Sequence, residues 1–265
     1  MKRILITGGP TDEAIDEVMK ITNMSTGSLS LSLADRAVKK DDAVTLILNS
    51  SVLRSAAFAA FGFEENKLVK VVPVDSTQDM YDALKAESSE HYDLVIHASA
   101  VGDYKPQFSF RMEDMAEEIA ENIRKNASAA DTAFANGKLE KLILETLTDP
   151  ECKVNDDTKI SSYEPNLTVK LTLTTKLISN LKTWFPDAML VGCKLLENVS
   201  KEHLIDVATK LCIKNDMDYI MANDLAEIRA GRPVRYLVTK DGYSGIALNE
   251  PGGPALLDYV EENWF

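Results

Sequence analysis

The sequence predicts an α/β fold, namely a doubly wound, mostly parallel Rossmann-like sheet with a helical lid insertion and a late β-hairpin. In the first half of the 265 residues, short apolar runs alternate with segments of helical spacing. This alternation is typical of parallel strands joined by crossover helices. The run at residues 94–98 is almost continuously apolar, as expected of a strand that helices cover on both faces. We interpret residues 1–265 as a single domain.

The first half contains four predicted strands and two predicted helices. The first helix places Leu29, Leu33 and Ala37 on one face, which is the pattern of an amphipathic helix. Ser76 stands where a capping residue would begin the second helix. The strands are predicted at 4–7, 44–48, 69–74 and 94–98, and the helices at 27–40 and 77–88.

The middle of the chain has a different pattern. Residues 107–157 contain polar helix-like pieces, such as 112–125 and 139–146, with few large apolar residues per turn. Segments of this kind cannot bury much surface, so we predict a lid or insertion rather than part of the main core.

The alternation of strands and helices resumes in the second half. A hairpin near the end is predicted to turn at Asp241-Gly242, a dipeptide that favours tight turns. Strands are predicted at 167–173, 189–193, 219–222, 234–239 and 244–248, and helices at 175–185, 201–215 and 255–263.

Composition narrows the class of protein. The net charge is −13, from 29 basic and 42 acidic residues, and an acidic surface repels nucleic-acid phosphates. Three cysteines and three histidines are scattered without a ligand-like spacing, which argues against a disulfide framework and a protein-held metal. The longest apolar runs are strand-sized, well below the roughly 20 residues of a membrane helix. The first run is too short for a secretory core, so we expect a cytoplasmic protein.

Two polar segments follow or precede predicted elements near the start of the chain. Thr7-Gly8-Gly9-Pro10-Thr11 directly follows the first strand, and glycines there let backbone amides approach phosphate oxygens. The alternative interpretation is an ordinary tight turn. Residues 21–27 precede a helix and combine Asn23, Ser25, Thr26 and Gly27, which favours anion binding. The alternative there is simple helix capping by Ser25 or Thr26.

Three further candidates lie at or near later strand ends. Ala100 and Asp103 follow the fourth strand, and Asn223 ends a later one. Ligands bind at the carboxyl ends of parallel strands, so these residues and the glycine turn are expected to share one edge. Asp103 could instead cap a turn, His97 is more often a core residue than a ligand, and a lone Lys159 is usually solvated.

These segments, taken together and in order, resemble phosphopantothenate–cysteine ligases. The resemblance is carried by residues 6–16, 21–27, 97–104, 159–162, 191–196 and 222–225. Lys159-Ile160-Ser161-Ser162 and Gly192-Cys193-Lys194-Leu195-Leu196 look most like the stand-alone bacterial ligases of streptococci and enterococci. The chain departs from many members at Ser161 and Ser162, where they carry lysines, and at Cys193, where they often carry Phe.

The resemblance implies a ligase of coenzyme A biosynthesis that joins 4′-phosphopantothenate to cysteine through an acyl-nucleotide. It implies CTP as the nucleotide, with ATP as an alternative, together with Mg²⁺, and a cytoplasmic homodimer. Asn23 and Lys159 would be catalytic. The nucleotide would be bound by Gly8, Gly9, Thr11, Asp103, Cys193 and Asn223, and the substrate by Ser25, Thr26, Gly27 and Ala100.

Two rival functions are compatible with the same sheet. An NAD(P)-binding reductase or epimerase would need a G-x-G-x-x-G turn, and Gly8-Gly9-Pro10 lacks that spacing. A non-catalytic nucleotide-binding protein stays open because of the departures at Ser161, Ser162 and Cys193.

Overall fold

A computed structural model describes residues 1–126, 137–154, 159–161, 163–232, 234–249 and 254–264 of the chain. These residues form two compact units. The first unit comprises 1–12, 22–103 and 175–265, and the second comprises 13–21 and 104–174.

The first unit is built on an eight-stranded sheet whose order is β12-β11-β10-β9-β6-β1-β4-β5. The six strands from β10 to β5 run parallel, and β11 and β12 add an antiparallel hairpin at one end. The strands are β1 (Arg3–Gly8), β4 (Ala43–Asn49), β5 (Val69–Val74), β6 (Leu94–His97), β9 (Met189–Leu196), β10 (Tyr219–Asp224), β11 (Arg235–Thr239) and β12 (Gly242–Leu248).

Helices cover both faces of this sheet. Successive side chains of β1 show the division, because Ile4 and Ile6 belong to one apolar layer and Leu5 belongs to the other. Each layer is closed by helices whose apolar stripes face the sheet. The helices are α1 (Ser28–Val38), α2 (Ser50–Leu53), α3 (Ala56–Phe61), α4 (Thr77–Glu87), α7 (Leu181–Trp184), α8 (Lys201–Lys214), α9 (Leu225–Arg229) and α10 (Pro254–Trp264).

Successive strands are added on opposite sides of the boundary between β1 and β6. From β1 the chain proceeds outward to β4 and β5, and it then returns to β6 and continues to β9 and β10 on the other side. Loops that leave two neighbouring parallel strands in opposite directions open a crevice at their carboxyl ends, and ligands of doubly wound folds bind there. The fold therefore marks the β1/β6 junction as the place to look for a site.

The second unit has a small core of its own. Its strands β7 (Tyr104–Arg111) and β8 (Leu167–Leu173) pair antiparallel, and Phe108, Phe110 and Met115 are buried together. Two short strands, β2 (Asp12–Ala14) and β3 (Lys20–Thr22), also pair. The helices are α5 (Met112–Asn126) and α6 (Lys138–Thr148).

The fold class predicted from the sequence is confirmed, and the hairpin and the Ser76 cap are observed with it. Ser76 and Asp79 form a reciprocal capping box at the start of α4. One strand was not predicted, and one local prediction was wrong. Residues 104–111 form a strand, because they pair with β8 some sixty residues away, a contact that local spacing does not reveal. The helix predicted at 175–185 is a 3₁₀ turn at Leu177–Asn180 followed by the single turn of α7.

The predicted lid at 107–157 falls within the second unit where it is described. Residues 127–136 and 155–157 of that prediction lie outside the described residues. The single-domain interpretation and the lid function stay predictions. Across the described ranges, no helix combines the length and apolarity needed to cross a membrane.

Candidate active site

Close packing of three glycines shapes the turn after β1. A Cβ atom added to Gly8 would lie 1.9 Å from Ser30 Oγ, so helix α1 can approach β1 only because Gly8 has no side chain. Gly9 and Gly27 both have positive φ, +83° and +71°, and an added Cβ would lie 2.7 and 2.8 Å from methyl groups of Val52. The two loops that carry the first sequence motifs therefore meet over Val52, where only glycine fits without strain.

Thr11 ties the β1 turn to the segment after β6. Its backbone N–H donates to Ala100 O at 3.3 Å, and its hydroxyl accepts from the Gly102 N–H at 2.9 Å. The Thr77 hydroxyl donates to the same oxygen at 3.1 Å. Thr11 is only 1% exposed, so these bonds replace the water that a buried hydroxyl would otherwise need.

Asn23 reaches the same junction from the loop before α1. Its carboxamide Nδ2 donates to Ala100 O at 2.8 Å, and the residue is otherwise exposed. Neighbouring Thr22 donates its hydroxyl to Asp12 Oδ1 at 2.6 Å and so anchors the loop. Ala100 O thus accepts from both loops, and the predicted catalytic amide lies at the β1/β6 switch point.

Helix α1 begins without a side-chain cap. Gly27 occupies the N-cap position in the left-handed conformation and makes no side-chain hydrogen bond. Among the described residues, Ser25 Oγ accepts only from the Gly27 N–H, at 3.4 Å, and the Thr26 hydroxyl makes no hydrogen bond. Simple capping therefore does not account for these hydroxyls, which leaves them available to a ligand.

His97 and Thr7 form a buried polar pair on the neighbouring strands β6 and β1. His97 Nδ1 lies 2.9 Å from Thr7 Oγ1, and burial lowers the His97 pKa to about 4. The imidazole is therefore neutral at pH 7, and its position matches the interpretation of a core histidine. Next to it, the Ser99 hydroxyl oxygen is buried with no hydrogen-bond partner among the residues described.

Asp103 is exposed and makes an ion pair. Lys176, which directly follows Thr175 before the 3₁₀ turn, places its Nζ 2.5 Å from Asp103 Oδ1. Lys176 could not be recognised in the sequence, because a lone lysine carries no signal and its partner lies 73 residues away. A cation therefore stands at this edge beside the carboxylate predicted to meet the nucleoside.

The ends of β9 and β10 continue the edge. Asn223 is 8% exposed, and its carboxamide makes no hydrogen bond to any group in the described ranges. Asp224 differs, because its carboxylate accepts from the backbone N–H groups of Asn198, Val199 and Ala226. Asp224 is thus a structural cap, whereas the Asn223 carboxamide keeps its bonding capacity for something else.

Cys193 and Arg235 lie on β9 and β11, the two strands that pair with β10. Cys193 is partly buried beside Met221, and burial raises the pKa of its thiol to about 12. It is therefore a neutral, apolar group and not a thiolate nucleophile. Arg235, another residue that the sequence analysis missed, is 6% exposed and pairs in register with Asn223.

Lys159 belongs to the second unit, where it is exposed. The other predicted site residues all belong to the first unit, at the carboxyl edge of its sheet or in the loops beside it. Those residues are Gly8, Gly9, Thr11, Asn23, Ser25, Thr26, Gly27, Ala100, Asp103, Cys193 and Asn223.

The fold and this edge define an α/β domain of the doubly wound class with a polar, glycine-rich switch point. Residues 1–126 match the family described as the DNA/pantothenate metabolism flavoprotein C-terminal domain. The coenzyme A biosynthesis bifunctional protein CoaBC of Thermococcus kodakarensis is 28% identical over 241 residues, which cover 91% of this chain and 45% of that protein. The chain spans about half the length of the curated relatives it matches.

Two solved structures are similar to the chain over almost its whole length. The DNA/pantothenate metabolism flavoprotein from Streptococcus pneumoniae superimposes with a TM-score of 0.75 at 29% identity, and the match covers 99% of both chains. The Cab2 mutant H337A in complex with phosphopantothenate-cysteine shares the fold, with a TM-score of 0.63 at 15% identity over 98% of this chain and 85% of that one. The resemblance predicted from the sequence is confirmed to this extent: residues 1–126 match the DNA/pantothenate metabolism flavoprotein C-terminal domain, and the chain is similar to CoaBC over most of its length.

Proposed function

We propose that the chain is a phosphopantothenate–cysteine ligase. It would join 4′-phosphopantothenate to cysteine in two steps, through an acyl-nucleotide formed from CTP, with ATP as the alternative nucleotide. One observation carries the proposal: the Asn23 amide donates to Ala100 O at the β1/β6 switch point, beside the glycine turn. The domain match over residues 1–126 supports it, because this stretch contains all of those residues.

In the first step, the substrate carboxylate attacks the α-phosphorus of the nucleotide and pyrophosphate leaves. Two anions must approach each other, so the site must supply hydrogen-bond donors where charge accumulates. Asn23 suits this role. Its Nδ2 has two hydrogens, and Ala100 O accepts only one of them, so the second can donate to the carboxyl or acyl-phosphate oxygen.

The triphosphate would lie against the glycine turn. The tight packing of Gly8 on Ser30 and of Gly9 on Val52 brings backbone amides to the edge without side chains in the way, and Thr11 fixes the turn. The Ser25 and Thr26 hydroxyls would bind the acid substrate, together with the Gly27 N–H, whose hydrogen bond to Ser25 Oγ is long at 3.4 Å. Among the described residues no cluster of three or more potential metal ligands is present, so the phosphates would hold Mg²⁺, which would neutralise their charge.

The nucleoside would extend toward β9 and β10. Asp103, with Lys176 beside it, is assigned to the ribose or base. The Asn223 carboxamide can both donate and accept, which suits the edge of a base, and Cys193 offers an apolar surface.

In the second step, the cysteine amine attacks the acyl carbon and the nucleoside monophosphate leaves. The negative charge that develops on the acyl oxygen requires a donor or cation. We assign Asn23 to this charge in both steps and Lys159 to the second step. Homodimer formation and a cytoplasmic location belong to the same proposal, and sedimentation analysis of the purified chain tests the first of them.

The names of related proteins support this chemistry. The Thermococcus relative is named for coenzyme A biosynthesis, and the Cab2 structure is described as a complex with phosphopantothenate-cysteine. That compound is what this reaction would deliver.

The test is a pyrophosphate-release assay with CTP, ATP, GTP and UTP, each with and without phosphopantothenate and cysteine. We expect release that requires phosphopantothenate, is fastest with CTP, and becomes multiple-turnover only when cysteine is present. Release without the acid, or none with any nucleotide, contradicts the proposal. Tight NADPH binding in a parallel titration would favour the reductase interpretation instead.

A further inference from the structure

Asp16 connects two distant segments of the second unit. Its Oδ2 accepts from the backbone N–H of Ile160 at 2.9 Å, across 144 residues of sequence. Its other oxygen, Oδ1, accepts from the N–H groups of Val18 at 2.7 Å and Met19 at 2.6 Å. The two oxygens therefore have separate partners, one inside the local loop and one on the remote segment.

The loop that carries Asp16 is itself closed by backbone bonds. The N–H groups of Ile15 and Asp16 donate to Met19 O at 2.8 and 3.3 Å. Together with the two bonds to Oδ1, these contacts hold the carboxylate in one orientation. Oδ2 is thus a fixed acceptor, and it does not depend on Ile160 for its position.

The hydrogen bond from the Ile160 N–H to Asp16 also fixes the backbone position of Lys159. The Ile160 nitrogen belongs to the same planar peptide unit as the Lys159 Cα and carbonyl, so an anchor on that nitrogen determines where Lys159 begins. Ile160 is 8% exposed, so its burial also restrains the segment, whereas Lys159 itself is exposed. The Lys159 side chain therefore projects from a held backbone.

We infer that Asp16 is a positioning residue for Lys159 in the cysteine-dependent step. The inference rests on the proposed function for the role of Lys159, but the anchor itself is a property of the second unit. Asp16 makes no contact with substrate in this account. It acts by holding the Ile160 amide, and its negative charge lies close enough to Lys159 for the two to attract each other.

Asp16→Asn separates the two functions of the carboxylate. Asparagine keeps one oxygen, which can accept from Val18 and Met19, but it presents an NH₂ group where Oδ2 accepted from Ile160. The local loop should therefore remain while the remote anchor is lost. Glu17→Gln is the matched control. Glu17 is exposed and makes no hydrogen bond or ion pair with described residues. Its substitution also removes one negative charge, at the next residue in the sequence.

The first measurement is amide hydrogen exchange at Ile160 in the full chain. We expect about tenfold faster exchange in Asp16→Asn than in the unsubstituted protein, the effect of losing one hydrogen bond to a charged acceptor. Exchange in Glu17→Gln should be unchanged. Equal protection of the Ile160 amide in Asp16→Asn and the unsubstituted protein overturns the anchor.

The second measurement is single-turnover capture of a prepared acyl-nucleotide by cysteine. Asp16→Asn should slow capture about tenfold while phosphopantothenate-dependent pyrophosphate release stays within about twofold. In a Lys159→Gln background, Asp16→Asn should cause no further slowing, because residues that act through one another are not additive. Full additivity overturns the positioning role.

The two measurements separate this inference from the proposed function. Normal capture by Lys159→Gln removes the assigned role of Lys159 and with it the catalytic consequence of Asp16. Faster Ile160 exchange in Asp16→Asn would then still establish the anchor. Absence of any ligase activity in the unsubstituted chain would refute the proposed function, and the exchange measurement would remain decisive for Asp16.

Discussion

The two ends of the candidate site differ in how their polar groups are used. At the β1/β6 end, Thr11, Asn23 and Ala100 bond to one another or to neighbouring backbone groups. At the β9/β10 end, the Asn223 carboxamide has no hydrogen bond to a described residue, although the residue is only 8% exposed. Protein groups fix the first end in advance, while the second end has bonding capacity left for a ligand.

This difference suggests a division of labour. Electrostatic catalysis depends on donors that are already oriented before reaction, and the bonded framework around Ala100 O provides that. Recognition of a nucleoside needs groups whose bonds are completed only by the ligand, since an unpaired buried polar group rejects the wrong partner. We therefore expect the β1/β6 end to control rate and the β9/β10 end to control nucleotide affinity.

The largest expected effect is on turnover at the first end. Asn23→Ala should lower turnover about 10²–10³-fold, because removal of one such donor typically costs that much. The thermal midpoint should change little, since the residue is exposed. Steady-state assays and a melting curve measure both quantities, and near-native turnover would show that Asn23 has another role.

The next effect concerns the buried imidazole behind that end. The folded-state pKa of His97 is lowered to about 4, so the unfolded chain binds more protons between pH 6.5 and 4. Stability contributed by the neutral imidazole is therefore full above about pH 6.5 and is lost as pH falls toward 4, by about 3 kcal/mol in total.

Denaturant unfolding measured from pH 7 to pH 4.5 checks this dependence. His97→Gln should flatten the curve, because the amide can still bond Thr7 but does not titrate. His203→Gln, at an exposed histidine, should retain the slope. An equal slope in all three proteins would mean that folding does not lower the pKa of His97.

The glycine packing predicts a loss of stability of comparable size. Gly27 and Gly231 have similar φ values, +71° and +74°, but an added Cβ at Gly27 would meet Val52, whereas one at Gly231 would meet no atom of a described residue within 4 Å. Gly231→Ala should cost about 1 kcal/mol for the left-handed backbone, and Gly27→Ala about 2 kcal/mol more for the clash. Equal losses of unfolding free energy would argue against close contact of the two loops.

The smallest effects contrast the two ends directly. Thr11→Val removes two hydrogen bonds to a buried hydroxyl and should destabilise the protein by about 1–2 kcal/mol. Asn223→Ala should leave the unfolding free energy within about 0.5 kcal/mol and weaken nucleotide binding about tenfold. Calorimetric unfolding and nucleotide titration of both variants test this, and loss of stability in Asn223→Ala would mean that Asn223 serves the fold.

Much of the fold could be predicted from sequence because its signals are local. The hairpin at Asp241-Gly242 and the cap at Ser76 depend on neighbouring residues, and strand ends with polar turns converge once the strands are parallel. β7 was missed because its partner strand is remote in sequence. For the same reason Lys176 was missed, since its ion pair with Asp103 forms only after folding.

The roles of individual residues within a motif could not be predicted from the sequence either. Asn223 and Asp224 are adjacent and similar in polarity, yet one makes no hydrogen bond to a described residue and the other caps three backbone amides. Asp16 lies within the motif at residues 6–16, but only its hydrogen bond with Ile160 in the folded chain indicates a role for it. Spacing identifies which residues can share an edge, but bond geometry decides what each of them does.

The most direct test is a single-turnover measurement of pyrophosphate release with phosphopantothenate and CTP but no cysteine. A site that holds both reactants along one sheet edge should give a burst of about one pyrophosphate per active chain. Asn23→Ala should slow this release about 10²–10³-fold at any nucleotide concentration, whereas Asn223→Ala should give the full burst once CTP is raised about tenfold. A full burst at an unchanged rate in Asn23→Ala, or no burst in the unsubstituted chain that is active with cysteine, would contradict acid activation at the β1/β6 switch point.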